Sequence, residues 1–114
     1  MDVKLKEAFN IEITKAKQSY FTQDYSQSFY HLERAHILGQ SFVIPHATTH
    51  WWMLKIGIKT KCYREISGQI MRIIASIIFS KIWVPLGNPG GANVSPIKPM
   101  PIPNDLKKIL DRKN

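Results

Sequence analysis

Apolar residues near the start of the chain recur every three or four positions: Leu5, Ala8 and Phe9, then Ile11 or Ile13, Ala16 and Tyr20. That period keeps one side of a helix against a core and predicts an amphipathic helix from about Val3 to Phe21. After Thr22-Gln23-Asp24 the period resumes, with Tyr25, Ser28, Phe29, Leu32, Ala35 and His36 on one stripe. Asp24 suits the N-cap of this second helix, because its carboxylate can accept from first-turn N–H groups that have no helical partner, and Gly39 is placed to stop it. Gln40 to Pro45 reads as a linker, with Pro45 opening a third helix where its missing N–H would be unpaired anyway. This helix carries His46, His50, Met53, Leu54 and Ile58 and breaks near Thr60 to Cys62. Tyr63, Ile66, Ile70, Ile73, Ile74 and Ile77 mark a fourth, reaching about Ile82.

The pattern changes at Pro85. Six of the seven prolines lie from there on, with glycines at 87, 90 and 91, which excludes regular structure. Val94, Ile97, Met100 and Ile102 recur along this stretch and predict that it lies extended across the helices. It closes with a short helix from Asp105 to Leu110, N-capped by Asn104, in which Leu106, Ile109 and Leu110 face the core and Lys107, Lys108 and Arg112 face out. The expected organisation is all-α: a four-helix, double-hairpin domain over residues 1–84, and a Pro/Gly-rich tail over 85–114 packed on it.

A shift of 38 residues aligns Asp24-Tyr25-x-x-Ser28-x-x-x-Leu32-x-x-Ala35 with Cys62-Tyr63-x-x-Ile66-x-x-x-Ile70-x-x-Ile73. Each copy has a turn, an aromatic residue and the same apolar spacing. Ala16, Tyr20, Ser28, Leu32 and Ala35 resemble the small-and-aromatic packing pattern of a tetratricopeptide-type helix hairpin, over roughly Lys15 to Ile73. The resemblance implies two antiparallel hairpins stacked on one another. Two repeats are few for such an array, so the tail is expected to act as a cap, or the protein to form a homodimer.

At 114 residues and 44% hydrophobic composition, one globular domain is expected. A net charge of +8 favours acidic partners. Cys62 is the single cysteine, which excludes an intrachain disulfide framework and fits a reducing, cytoplasmic compartment. Met1 to Phe9 mixes Asp2, Lys4, Lys6 and Glu7 with apolar residues, unlike a secretory signal. The isoleucine-rich stretch from Ile66 to Val84 carries Gln69, Arg72 and Lys81. Its uninterrupted apolar part, Ile73 to Phe79 with Ser76 inside it, falls far below the ~20 residues that span a bilayer. A buried helix is expected there, and peripheral contact is the membrane role left open.

All four histidines fall between His31 and His50. His46 and His50, four apart, project within about 40° of each other on one helix face, which is how two imidazoles grip one metal ion. Glu33-x-x-His36 on the preceding helix is an i, i+3 pair of the kind used by carboxylate-bridged iron and manganese bundles. Glu33, His36, His46 and His50 would therefore offer one carboxylate and three nitrogens, suited to zinc, iron(II), nickel or copper(II) in a mononuclear site. A di-iron centre is not expected, since a second Glu-x-x-His is lacking and Glu65 is the only other carboxylate candidate on the following helices. His31 points away. The competing reading makes His36 a core histidine hydrogen-bonded to a carbonyl or to Glu33, because helical histidine spacing also arises without a metal.

Lys55, Lys59, Lys61, Arg64, Arg72 and Lys81 stand against Glu65 alone between positions 55 and 81, with Trp51, Trp52, Tyr63 and Trp83 available to stack bases. Net charge is a non-specific signal, however, and adjacent tryptophans on a helix diverge by about 100°, which favours a core role for one or both. Gly87-Asn88-Pro89-Gly90-Gly91 reads as a shaped reversal, lacking the lysine of a phosphate loop. Ser76, Ser95 and Cys62 have no activating histidine at readable spacing, so nucleophilic catalysis has no support.

Three stretches taken together, His31-Leu-Glu-Arg-Ala-His-Ile-Leu-Gly-Gln40, His46-x-x-x-His50-Trp51, and Gly87-Asn-x-Gly-Gly-Ala-Asn-Val-Ser95 followed by Pro99-Met-Pro-Ile-Pro103, resemble a family of small bacterial proteins classed as a domain of unknown function. The resemblance implies a bacterial, intracellular origin and brings no activity or cofactor with it. The functional expectation is a non-enzymatic helical module with a metal site. A metal-free adaptor for an acidic protein is the alternative, and non-specific nucleic-acid binding comes third.

Overall fold

The computed structural model describes residues 1–79 and 100–111. These form α1 (Val3–Phe21), α2 (Tyr25–Gly39), α3 (Val43–Thr60), α4 (Tyr63–Phe79) and α5 (Asn104–Asp111), with no strand among the described residues. α1 packs on α2 and α3 on α4, as two hairpins; α2 against α3 joins them, and α5 lies on α1 and α2.

Polar residues start both helices of the first hairpin. Asp2 Oδ1 accepts from the N–H groups of Lys4 (2.8 Å) and Leu5 (3.1 Å), and Asp24 Oδ1 accepts from Gln27 N–H (3.2 Å), so each carboxylate satisfies first-turn donors. The two turns are copies of one another. Gln23 and Lys61, 38 positions apart, both adopt left-handed backbone, with φ of 66° and 57°. In each, the following N–H reaches back five residues, Asp24 to Ser19 O and Cys62 to Gly57 O, both at 2.9 Å, closing the helix as a Schellman motif. The 38-residue repeat therefore holds at the level of individual backbone hydrogen bonds.

The core is built from Leu5, Phe9, Ile13 and Ala16 of α1, Leu32, Ala35 and Leu38 of α2, Met53 and Ile56 of α3, and Leu106 of α5, all buried. Ala16, Ser28 and Ala35 let α1 and α2 approach closely, and Ser28 Oγ donates to Ala16 O at 2.7 Å across the crossing. Leu106 seals α1 and α2 from the side, with Ile102, Ile109 and Leu110 packed around it.

Several expectations are adjusted. α3 begins at Val43, so the linker is three residues rather than six, and Pro45 sits in the first turn, where backbone N–H groups have no helical partner. Gly39 is the last residue of α2, and closeness is what requires it there: a Cβ would lie 2.8 Å from the Phe9 ring and 2.9 Å from Pro45 Cβ. Among the described side chains of α4, Gln69 is buried and Ile66 and Ile73 are half-buried, whereas Ile70, Met71 and Ile74 are exposed, in contrast to the buried helix expected. α5 starts at Asn104, its first bond running from Lys107 N–H to Pro103 O, rather than after an Asn104 cap. The extended path of residues 85–99, the Gly87–Gly91 reversal, Lys81, Trp83 and Arg112 lie outside the described residues. Among the described residues no helix is long and apolar enough to cross a membrane.

Candidate metal centre

The α2–α3 connection brings two helix ends together and, with them, three imidazoles. His36 comes from the last turn of α2 and His46 and His50 from the first two turns of α3. Their Nε2 atoms converge: His36 to His46 at 2.9 Å, His36 to His50 at 3.1 Å, and His46 to His50 at 3.1 Å. His36 and His50 are buried and His46 is half-buried. An ion at the usual zinc–imidazole distance of about 2.0–2.1 Å from all three would sit about 1 Å out of their plane, with N–metal–N angles of about 90–100°. The triangle is thus the right size for a facial tripod that leaves further coordination positions on one side.

Electrostatics keep two of these rings in the ligating form. Burial holds His46 down to about 4. His50 is held down to about 3, by burial first and then by the neighbouring His46. Both are therefore neutral near pH 7, with lone pairs to offer. His50 Nδ1 lies 2.5 Å from Gln69 Oε1, and Gln69 Nε2 donates to Glu65 Oε2 at 2.8 Å, so α4 backs the site with a buried side-chain relay. His46 Nδ1 is buried and has no hydrogen-bond partner among the described residues.

The fourth expected ligand is elsewhere. Among the described residues the convergent group comprises His36, His46 and His50 and does not include Glu33. Glu33 instead lines a neighbouring cleft of about 640 Å³ together with Tyr25, Phe29, Cys62 and Glu65. Burial and then the Glu65 carboxylate raise its pKa. His31 is outside the tripod, as its place on α2 predicts. Its Nδ1 is 2.7 Å from Glu12 Oε2, and Glu12 Oε1 accepts from Arg34 Nε at 2.9 Å. Arg34 also pairs with Asp105, which ties α5 to α1 and α2.

Of the supposed base-stacking residues, Trp51 and Trp52 have local partners, whereas Tyr63 is exposed. Trp52 packs edge-on to Tyr20 and Phe21, and Lys55 lies over Trp52 at 4.2 Å and Trp51 at 5.7 Å. Arg72 is partly withdrawn from water, its pKa lowered by burial, and donates to Gly68 O.

Two residues escaped sequence reasoning. In the sequence Gln69 reads only as an interruption of an apolar run; a lone amide on the inward stripe, at i+3 from Ile66 and i−4 from Ile73, is the available signal for a buried polar partner. Glu12 sits between Ile11 and Ile13, and no local pattern marks it as buried.

No curated protein and no solved structure matches the chain. A match to one family runs over residues 3–110, and its description is "Protein of unknown function (DUF3703)". With nearly the whole chain covered, including every helix that carries a tripod residue or its support, this protein belongs to the DUF3703 family.

Proposed function

We propose that this protein is a non-enzymatic helical module that binds one transition-metal ion through His36, His46 and His50. The observation that carries the reading is the convergence of three Nε2 atoms within 3.1 Å of one another. Three neutral imidazoles suit zinc, nickel, copper(II) or iron(II), and the open side of the tripod leaves room for water or a ligand from a partner. Glu33 is not assigned as a ligand; it belongs to the adjoining cleft. The test is elemental analysis of untagged protein after loading with each metal and desalting. One equivalent per chain is expected in the wild type and none in a His46→Ala, His50→Ala double variant. Equal metal content in the two overturns the reading.

A second reading, a protein–protein adaptor, is favoured by Ile70, Met71 and Ile74, which stand exposed together on α4 in a chain of net charge +8. Retention of an acidic partner at physiological salt that is lost on Met71→Lys supports it; retention unchanged by that substitution counts against this face.

A further inference from the structure

The three imidazoles are not equivalent, and the difference begins with a carboxylate that touches none of them. Glu65 Oε2 lies 2.8 Å from Gln69 Nε2. An amide nitrogen only donates and a carboxylate oxygen accepts, so this contact fixes which end of the Gln69 amide is which; reversed, two oxygens would face one another. The Gln69 carbonyl oxygen must then point at His50 Nδ1, 2.5 Å away. Because a carbonyl cannot donate, His50 carries its proton on Nδ1, and its Nε2 holds a lone pair aimed at the other two rings. Gln69 is 0% exposed and His50 is 1% exposed, so water does not compete for either contact.

His46 has none of this. Its Nδ1 is buried without a partner among the described residues, so neither its tautomer nor its ring orientation is held from behind. It lies in the first turn of α3, whereas His50 is one turn deeper. It is also only half-buried, where His36 and His50 are buried.

We infer that Gln69, oriented by Glu65, is the positioning residue of this centre, making His50 the anchored ligand and leaving His46 as the ligand that lets go first. This rests on the metal reading above and adds a direction to it. The ion exchanges on the His46 side, where an incoming donor from water, a chelator or an acceptor protein replaces one imidazole while His36 and His50 still hold. A held ion with one labile ligand suits cargo that is handed on.

The test uses the full chain loaded with zinc, with cobalt(II) as a spectroscopic probe. Release of zinc to the chelator 4-(2-pyridylazo)resorcinol is timed for wild type and variants, and circular dichroism confirms the helical content of each apo protein. His46→Ala should still take one equivalent of zinc and release it at least about tenfold faster than wild type, whereas His50→Ala should not keep zinc through desalting. Gln69→Leu should weaken binding about 10–100-fold and shift the cobalt(II) visible bands, and the double exchange Gln69→Glu, Glu65→Gln, which keeps one amide donor facing one carboxylate and an oxygen acceptor facing His50, should bring both back. Should Gln69→Leu fail to fold, Glu65→Gln carries the test: it preserves shape but lets the Gln69 amide turn over, and should speed release severalfold.

Identical release from His46→Ala and His50→Ala, or wild-type release from both Gln69→Leu and Glu65→Gln, overturns the ordering while leaving the metal site standing. A wild type that retains neither zinc nor cobalt overturns the metal reading and this inference with it.

Discussion

The imidazoles of half-buried His46 and buried His50 are neutral in the fold but ordinary in the unfolded chain, where they titrate near 6.5. Folded, they titrate near 4 and 3. As pH falls below about 6.5 the unfolded chain takes up protons that the native state refuses, so stability is fully present above that pH. It is lost progressively as pH drops toward 4 and then 3, by up to about 1.4 kcal/mol per pH unit for each histidine. Urea titrations of the apo protein at pH 7, 6 and 5 should show the midpoint falling at each step; a flat response would mean that these rings are solvated. Glu12 poses the opposite problem, an anion at 7% exposure held by His31 and Arg34. Glu12→Ala should cost about 2–3 kcal/mol, because it leaves Arg34 half-partnered and His31 without its acceptor, and chemical denaturation would register the loss. The i, i+4 histidine pair was legible from spacing, since a helix fixes angle, and the approach of His36 from the antiparallel arrangement expected of the helices that carry them. That Glu33 faces a different cleft from His36 was not, because an i, i+3 pair diverges by about 60° and only the neighbouring helices decide which face meets the site.

At the scale of elements, α1 and α2 are legible because aspartates cap both and an unbroken 3.6-residue period runs between the caps. α4 is the harder case. Isoleucine fills both of its faces, so the period could not say which side packs, and the decision falls to α3, against which Ile66, Gln69 and Ile73 turn. The twin left-handed turns offer a clean experiment. Lys61 holds φ at 57° with a Cβ that disfavours it, and its exposed side chain has no hydrogen bond or ion pair among the described residues to lose. Lys61→Gly should stabilise the protein by about 0.5–1 kcal/mol, visible in thermal unfolding, since the relief of left-handed strain exceeds the added freedom of the unfolded chain. A decrease in stability would mean that Lys61 contributes more than its backbone.

Across the whole molecule, the proposed ligands come from both hairpins: His36 from the first, His46 and His50 from the second. An ion bound there pins α2 to α3, the contact that joins the two halves. Zinc at a hundredfold excess over its Kd should therefore raise stability by about 2.7 kcal/mol, measurable as an upward shift of the melting temperature that the His46→Ala, His50→Ala variant does not show. The double-hairpin architecture followed from period and repeat, which are local properties of the chain. The support of the site did not, because it comes from Gln69, nineteen residues beyond His50, and such distant pairing is set by packing. That separation also imposes an order in time. A chain leaving the ribosome presents His36, His46 and His50 before Gln69 has emerged, so on the proposed ligand set an ion can be sampled and surrendered during synthesis, and the choice of metal becomes fixed only when α4 folds back behind it.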